Sequence, residues 1–343
     1  MTTTIDMNER MIFIISSPRS GSTLLERMIS SHSKVLGGPE PHLLTPLAHL
    51  GYYDTVEKAP YDHLRAVAAQ REFVDRLPGR EADYLDALRA YCNALYGRLL
   101  PTAPGKTMLL DKTPAYALVL PFITKVYPLA KYIVLTRHPG AIFSSYAESF
   151  FEGDWQAAHR FNPIIERYVP AIARFLRETS VPRYHVRYED LVQDPAGHME
   201  KICQILGLDF EPDMVEYGKK QPTEQKGLGD PIGVKQHQRP VTSSIDKWVN
   251  GVAGDPVREK LLQEMIGFCD PADLETWGYP AASIYEPLKH AKPQAPSSKK
   301  KKTDWDAFKI ERRLLHLIRK NIHKNALGRL VRKIRFTCDV LLR

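Results

Sequence analysis

The sequence predicts an α/β fold with a mainly parallel central sheet flanked by helices, continued by a basic helical C-terminal extension. Three observations carry this. Four short strand candidates lie at 11–15, 107–110, 132–135 and 184–187, and the first, an apolar and β-branched run, reads as a parallel strand buried on both faces. Helical patterns long enough to cross from one strand to a parallel neighbour separate them. The first run also passes straight through a Ser/Gly loop into a helix. At 343 residues the chain suits one such domain with added helices, and 43% hydrophobic with 26% charged residues excludes a disordered or fibrous protein.

Residues 1–10 are polar, and the run at 11–15 is too short for a signal segment or a membrane span. At 22–31, Leu24, Leu25, Met28 and Ile29 recur at helical spacing. A helical pattern over 61–100 breaks at Pro78 and Gly79, and another covers 117–127. Pro139 suits the first turn of a further helix, and a longer one spans 155–177. Residues 1–289 form the predicted domain, and the Pro/Ser/Lys-rich stretch 290–308 reads as a linker.

Residues 309–343 set Ile310, Leu314, Leu317, Ile318 and Ile322 among many basic residues, a basic amphipathic helical tail. Residues 299–343 carry fifteen Lys/Arg against four Asp/Glu, net +11, which leaves −3 for residues 1–298 out of the chain total of +8. Such a tail fits an anionic membrane surface, and it fits equally a helix packed on the body or on a partner. Nothing else has the character of a nucleic-acid module, so no nucleic acid is expected. Cys92, Cys203, Cys269 and Cys338 lie far apart with no zinc-site spacing, consistent with a reduced compartment. The expected location is cytoplasmic, with membrane association if the tail meets lipid.

The segment SPRSGST at 17–23 lies where backbone N–H groups and a helix N-terminus meet at a sheet edge, which suits an anion. Gly21 permits close backbone approach, Ser20, Ser22 and Thr23 supply hydroxyls, and Arg19 supplies a planar cationic fork. It is not the GxxxxGK[ST] loop of a Mg²⁺-nucleotide enzyme. Arg137 ends the third predicted strand and Ser145 lies about two turns into the next helix, so both reach one phosphate at the same edge.

The loop PRSGSTLL at 18–25 resembles the 5′-phosphosulfate loop of the sulfotransferases that use 3′-phosphoadenosine 5′-phosphosulfate (PAPS). Downstream, RHPGAIFSSY at 137–146 is similar to their 3′-phosphate segment, with Arg137 and Ser145 in the family's R-x-P-x₅-S spacing. YEDL at 188–191 resembles the segment whose tyrosine, here Tyr188, lies near the adenine. RPVTSSIDKW at 239–248 resembles the closing segment of the tyrosylprotein and bacterial branch, where Lys247 is the candidate cofactor contact.

The resemblance implies a P-loop-like sulfotransferase fold. It also implies in-line transfer of a sulfuryl group from PAPS to an acceptor hydroxyl, leaving PAP (3′-phosphoadenosine 5′-phosphate), without a metal. Arg19 and Lys112, the latter in DKTP at 111–114, are then placed to stabilise the leaving phosphate. Glu40, twenty-one positions beyond Arg19, matches the catalytic base of the tyrosylprotein branch, and His42 is its rival because imidazole titrates near neutral pH. The aromatics Tyr61, Phe73, Tyr84, Tyr91 and Tyr96 are candidates for an acceptor pocket, with core packing as the alternative. A lipid or other amphiphile is one acceptor class. A P-loop-like kinase or nucleotidase, or a membrane-docked binding protein of the same fold, are the competing readings.

Overall fold

The apolar run at 11–15 becomes the central strand β1 (Met11–Ser16), with all six residues buried. Its side chains alternate between two cores: Met11, Phe13 and Ile15 enter one, Ile12 and Ile14 the other. Burial on both faces is why the strand lacks the polar alternation of a half-exposed one. The computed structural model describes residues 5–54, 63–219 and 238–291. Among them, β2 (Val35–Leu36), β3 (Met108–Lys112), β4 (Lys131–Thr136) and β5 (Arg183–Arg187) complete a five-stranded sheet in the order β2-β3-β1-β4-β5. Every pairing is parallel, with Ile14 opposite Lys112 and Ser16 opposite Leu135.

The first half of the chain supplies α1 (Ser22–Ser30), α2 (Leu44–Ala48), α3 (His63–Asp75), α4 (Glu81–Tyr96) and α5 (Leu120–Val126). Next come α6 (Pro139–Phe151), α7 (Trp155–Phe161), α8 (Ile164–Glu178), α9 (Tyr188–Gln193) and α10 (Pro195–Leu206). The described chain closes with α11 (Val249–Val252), α12 (Pro256–Phe268), α13 (Pro271–Trp277) and α14 (Glu286–Lys289). Side chains of α1, α9 and α10 cover the Ile12/Ile14 face, whereas those of α4 to α8 and α11 to α13 cover the other.

The single helix expected over 155–177 is two. Pro163 drives the preceding Asn162 into an extended conformation (φ −155°, ψ 109°), and α8 starts afresh. The expected 61–100 helix is α3 and α4 with the break at Pro78 and Gly79, and the 117–127 helix begins as a 3₁₀ turn (Pro114–Leu118) before α5. Tyr61, most of the linker and the whole basic tail lie outside the described residues. Among the described residues no helix is long and apolar enough to cross a membrane.

The topology fixes where a ligand can sit. From β1 the chain crosses by α1 toward β2 and β3; from the neighbouring β4 it crosses the opposite face by α6 to α8 toward β5. Departures in opposite directions from adjacent strands open a crevice at their carboxyl ends. The turn after β1 and Arg137 after β4 both stand there.

Candidate active site

The turn between β1 and α1 is built from left-handed residues. Arg19 has φ 68° and Gly21, the N-cap of α1, has φ 96°. Gly21 provides no side-chain cap and the first turn of α1 holds no acidic residue, so its leading N–H groups present partial positive charge to the crevice. Close approach also requires glycine here: a Cβ at position 21 would stand 2.6 Å from Cδ2 of Tyr188.

The structure brings the two predicted phosphate-binding segments into direct contact. Arg19 Nε donates to Ser145 Oγ at 3.1 Å. Arg137 donates to the Arg19 carbonyl at 3.3 Å and to the Ser244 carbonyl at 2.8 Å, while its guanidinium lies 4.2 Å from the centre of the Tyr188 ring. Tyr188, buried at the start of α9, thereby touches both Gly21 and Arg137. Behind them the Trp277 indole N–H donates to the Arg137 carbonyl at 3.0 Å. His138 bonds the Ile284 carbonyl through Nε2 and accepts the Gly140 N–H on Nδ1; burial pushes its pKa down to about 4, so it is neutral. Lys247 is exposed three residues beyond Ser244 and makes no hydrogen bond to Arg19, Arg137 or Ser145.

Burial lowers the Arg137 pKa, the expected response of a cation withdrawn from water. Three buried polar atoms around the turn, Ser16 Oγ, Ser20 Oγ and Arg137 Nε, have no hydrogen-bond partner among the described residues. Buried donors are ordinarily satisfied, so a cluster of orphans beside an uncapped helix start and two arginines fits a polyanionic ligand.

The second half of the site hangs on β3. Lys112, its last residue and 3% exposed, places Nζ 2.5 Å from Glu40 Oε1. Glu40 is 15% exposed, and its Oε2 lies 3.4 Å from His42 Nε2. His42 itself is 41% exposed and left-handed at φ 52°. The two expected bases and the expected leaving-group lysine thus form one cluster, with Lys112 and Glu40 as its ion pair, at the edge that also bears Arg19.

Sequence reasoning missed the support beneath this cluster. Asp111 is 2% exposed and accepts from Tyr96 at 2.7 Å, Tyr116 at 3.0 Å and Thr113 at 2.9 Å. Burial raises its pKa to about 6 against the opposing effect of those three bonds. Tyr96, read as a candidate for the acceptor pocket, is therefore a core residue. Phe73 and Tyr91 are more than half exposed, and Tyr84 packs on Tyr52 and Tyr53, so these aromatics do not line one cavity. A cavity of about 270 Å³ walled by His138, Glu189, Trp248 and Tyr279 includes none of Arg19, Glu40 or Lys112. Among the described residues no three His, Cys, Asp or Glu side chains are grouped to hold a metal.

A family model for the sulfotransferase family matches residues 11–212, more than half of the chain and every site residue above except Ser244, Lys247, Trp277 and Ile284. The chain belongs to the sulfotransferase family. Among curated relatives of this sulfotransferase, the nodulation protein NoeE of Sinorhizobium fredii is 29% identical over 235 residues, 62% of this chain. That match spans about half (53%) of NoeE. A putative protein-tyrosine sulfotransferase of Caenorhabditis briggsae is 22% identical over 279 residues, 80% of this chain and 91% of that one. Among solved structures, the sulfotransferase domain of the Synechococcus PCC 7002 olefin synthase is 27% identical with a TM-score of 0.48, covering 76% of this chain and 95% of that domain.

Proposed function

We propose that this sulfotransferase moves a sulfuryl group from PAPS to an acceptor hydroxyl, with Glu40 as the base. The observation that carries the reading is the convergence of Arg19, Ser145 and Arg137 on the carboxyl edge of β1 and β4, with orphaned donors around them. PAPS supplies the activated sulfuryl group and a phosphate leaving group. Its 5′ end falls to the backbone and hydroxyls of Ser20, Gly21, Ser22 and Thr23 with Arg19, and its 3′-phosphate to Arg137 and Ser145. Tyr188 holds the wall between them, and Lys247 is assigned to the same ligand from the far segment.

At the acceptor, Glu40 takes the hydroxyl proton, and Lys112 at 2.5 Å fixes the orientation of its carboxylate. Glu40 is favoured over His42 because it is the more buried and the directly held group. The Lys112 ammonium and Arg19 bring positive charge to the edge where negative charge develops on the leaving phosphate. A relative named as a putative protein-tyrosine sulfotransferase supports a hydroxyl acceptor here. The basic tail extends the reading to acceptors at an anionic lipid surface, and loss of liposome co-sedimentation on deleting residues 299–343 is the matching test.

The experiment is transfer from labelled PAPS to a cell extract in EDTA, with the product identified by mass spectrometry. Label in a hydroxyl-bearing product supports the reading. Thermal stabilisation by ATP with Mg²⁺ but not by PAP in EDTA contradicts it and favours the kinase alternative.

A further inference from the structure

The segment carrying Glu40 and His42 is tied to the end of β3 at both ends. Upstream, the tie is the Glu40 carboxylate on Lys112. Downstream it is a main-chain bond: the Leu44 N–H donates to the Tyr116 hydroxyl at 3.1 Å. A tyrosine hydroxyl has one proton to give, and Tyr116 gives its own to Asp111 Oδ2 at 3.0 Å. That leaves the phenolic oxygen with only lone pairs toward Leu44. The ionised Asp111 carboxylate therefore sets the polarity of the chain Asp111–Tyr116–Leu44. Between the two ties His42 keeps φ 52°, a conformation that a non-glycine residue holds only where its surroundings impose it. Asp111 and Lys112 are consecutive, so one strand end grips both sides of the strained turn.

We propose that Asp111, acting through the Tyr116 hydroxyl, is a positioning residue for the catalytic base, holding the 40–44 turn in the shape that presents Glu40 to the acceptor. The catalytic half of this proposal rests on the function proposed above; the structural half, that Asp111 and Tyr116 hold Leu44, does not. Tyr96 provides an internal control. Its hydroxyl donates to the same carboxylate oxygen at 2.7 Å and neighbours the Tyr116 hydroxyl, yet it makes no bond to the 40–44 turn itself.

The test compares Tyr116→Phe with Tyr96→Phe by amide hydrogen exchange at Leu44 and by steady-state sulfuryl transfer. Each variant deletes one hydroxyl from Asp111; only Tyr116→Phe cuts the tie to Leu44. Exchange at Leu44 is expected to rise roughly tenfold or more in Tyr116→Phe and to stay at the wild-type rate in Tyr96→Phe. The kcat is expected to fall roughly 10- to 100-fold in Tyr116→Phe alone, with the KM for PAPS unchanged. Equal Leu44 exchange in the two variants overturns the proposal, and so does full kcat in Tyr116→Phe. Should Tyr116→Phe not fold, exchange in the wild type takes its place: Leu44 opens α2 and has no intrahelical acceptor, so its amide is expected to be protected by Tyr116, and exchange there as fast as in an unprotected amide overturns the proposal. A wild-type protein that transfers no sulfuryl group from PAPS defeats the catalytic half and the proposed function, while the exchange comparison still decides the link to Leu44.

Discussion

Replacing Gly21 by alanine tests whether the anion turn, Tyr188 and Arg137 act as one unit. A Cβ at position 21 would stand 2.6 and 2.8 Å from Cδ2 and Cε2 of Tyr188, inside any tolerated contact. The same ring faces the Arg137 guanidinium at 4.2 Å, so moving it disturbs the arginine assigned to the 3′-phosphate. Two costs add: a left-handed residue with a side chain costs about 1–2 kcal/mol, and overpacking a closed contact costs about 1–3 kcal/mol. The sum, about 2–5 kcal/mol, can be separated by a control. Gly105 is also left-handed, at φ 85°, but a Cβ there meets nothing within 4 Å, so Gly105→Ala carries the backbone cost alone. Urea unfolding should give about 1–2 kcal/mol for Gly105→Ala and about 2–5 kcal/mol for Gly21→Ala. Calorimetry with PAP should show affinity reduced roughly tenfold or more in Gly21→Ala and unchanged in Gly105→Ala. Equal stability losses with unchanged PAP affinity in both would refute the reasoning.

Glu40→Gln is expected to lower kcat by roughly 10²- to 10⁴-fold with PAP affinity retained, measured by single-turnover transfer and calorimetry. Lys112→Met leaves a largely buried Glu40 carboxylate without its cation and is expected to cost about 3–5 kcal/mol in urea unfolding, whereas removing both charges costs less than the sum. Burial pushes His138 and His185 each down to about 4, so between pH 6.5 and 4 the unfolded chain binds more protons and stability falls with falling pH. Asp111, raised to about 6, takes its proton first in the folded state and opposes that loss. In urea titrations across this window His185→Gln should therefore flatten the pH slope and Asp111→Asn should steepen it.

The sheet was legible because fully buried parallel strands write themselves as uninterrupted apolar runs, and 11–15 and 132–135 fall inside β1 and β4. β2 was not, since two residues, Val35 and Leu36, carry no periodicity. The 155–177 helix was overextended because apolar spacing continues through Asn162 and Pro163, where local backbone sterics override it. Arg19, Arg137, Ser145 and Tyr188 stood out because each sits at a fixed offset in a local motif, and the fold brings the four together. The Asp111 cluster leaves no such trace: Tyr96 and Leu44 lie 15 and 67 positions from Asp111 and meet it, or its partner, only in three dimensions. Asp111 was visible only as the neighbour of Lys112.

The most direct measurement is calorimetric titration in EDTA of PAP, and of adenosine 5′-phosphate lacking the 3′-phosphate, into the wild type, Arg137→Ala and Ser145→Ala. One PAP should bind the wild type, and each variant should lose roughly tenfold or more in PAP affinity and less in affinity for adenosine 5′-phosphate, the smaller loss reflecting the contacts of Ser145 and Arg137 with Arg19. No PAP binding by the wild type, or variants that weaken both ligands equally, would contradict the placement of one doubly phosphorylated nucleotide across β1 and β4.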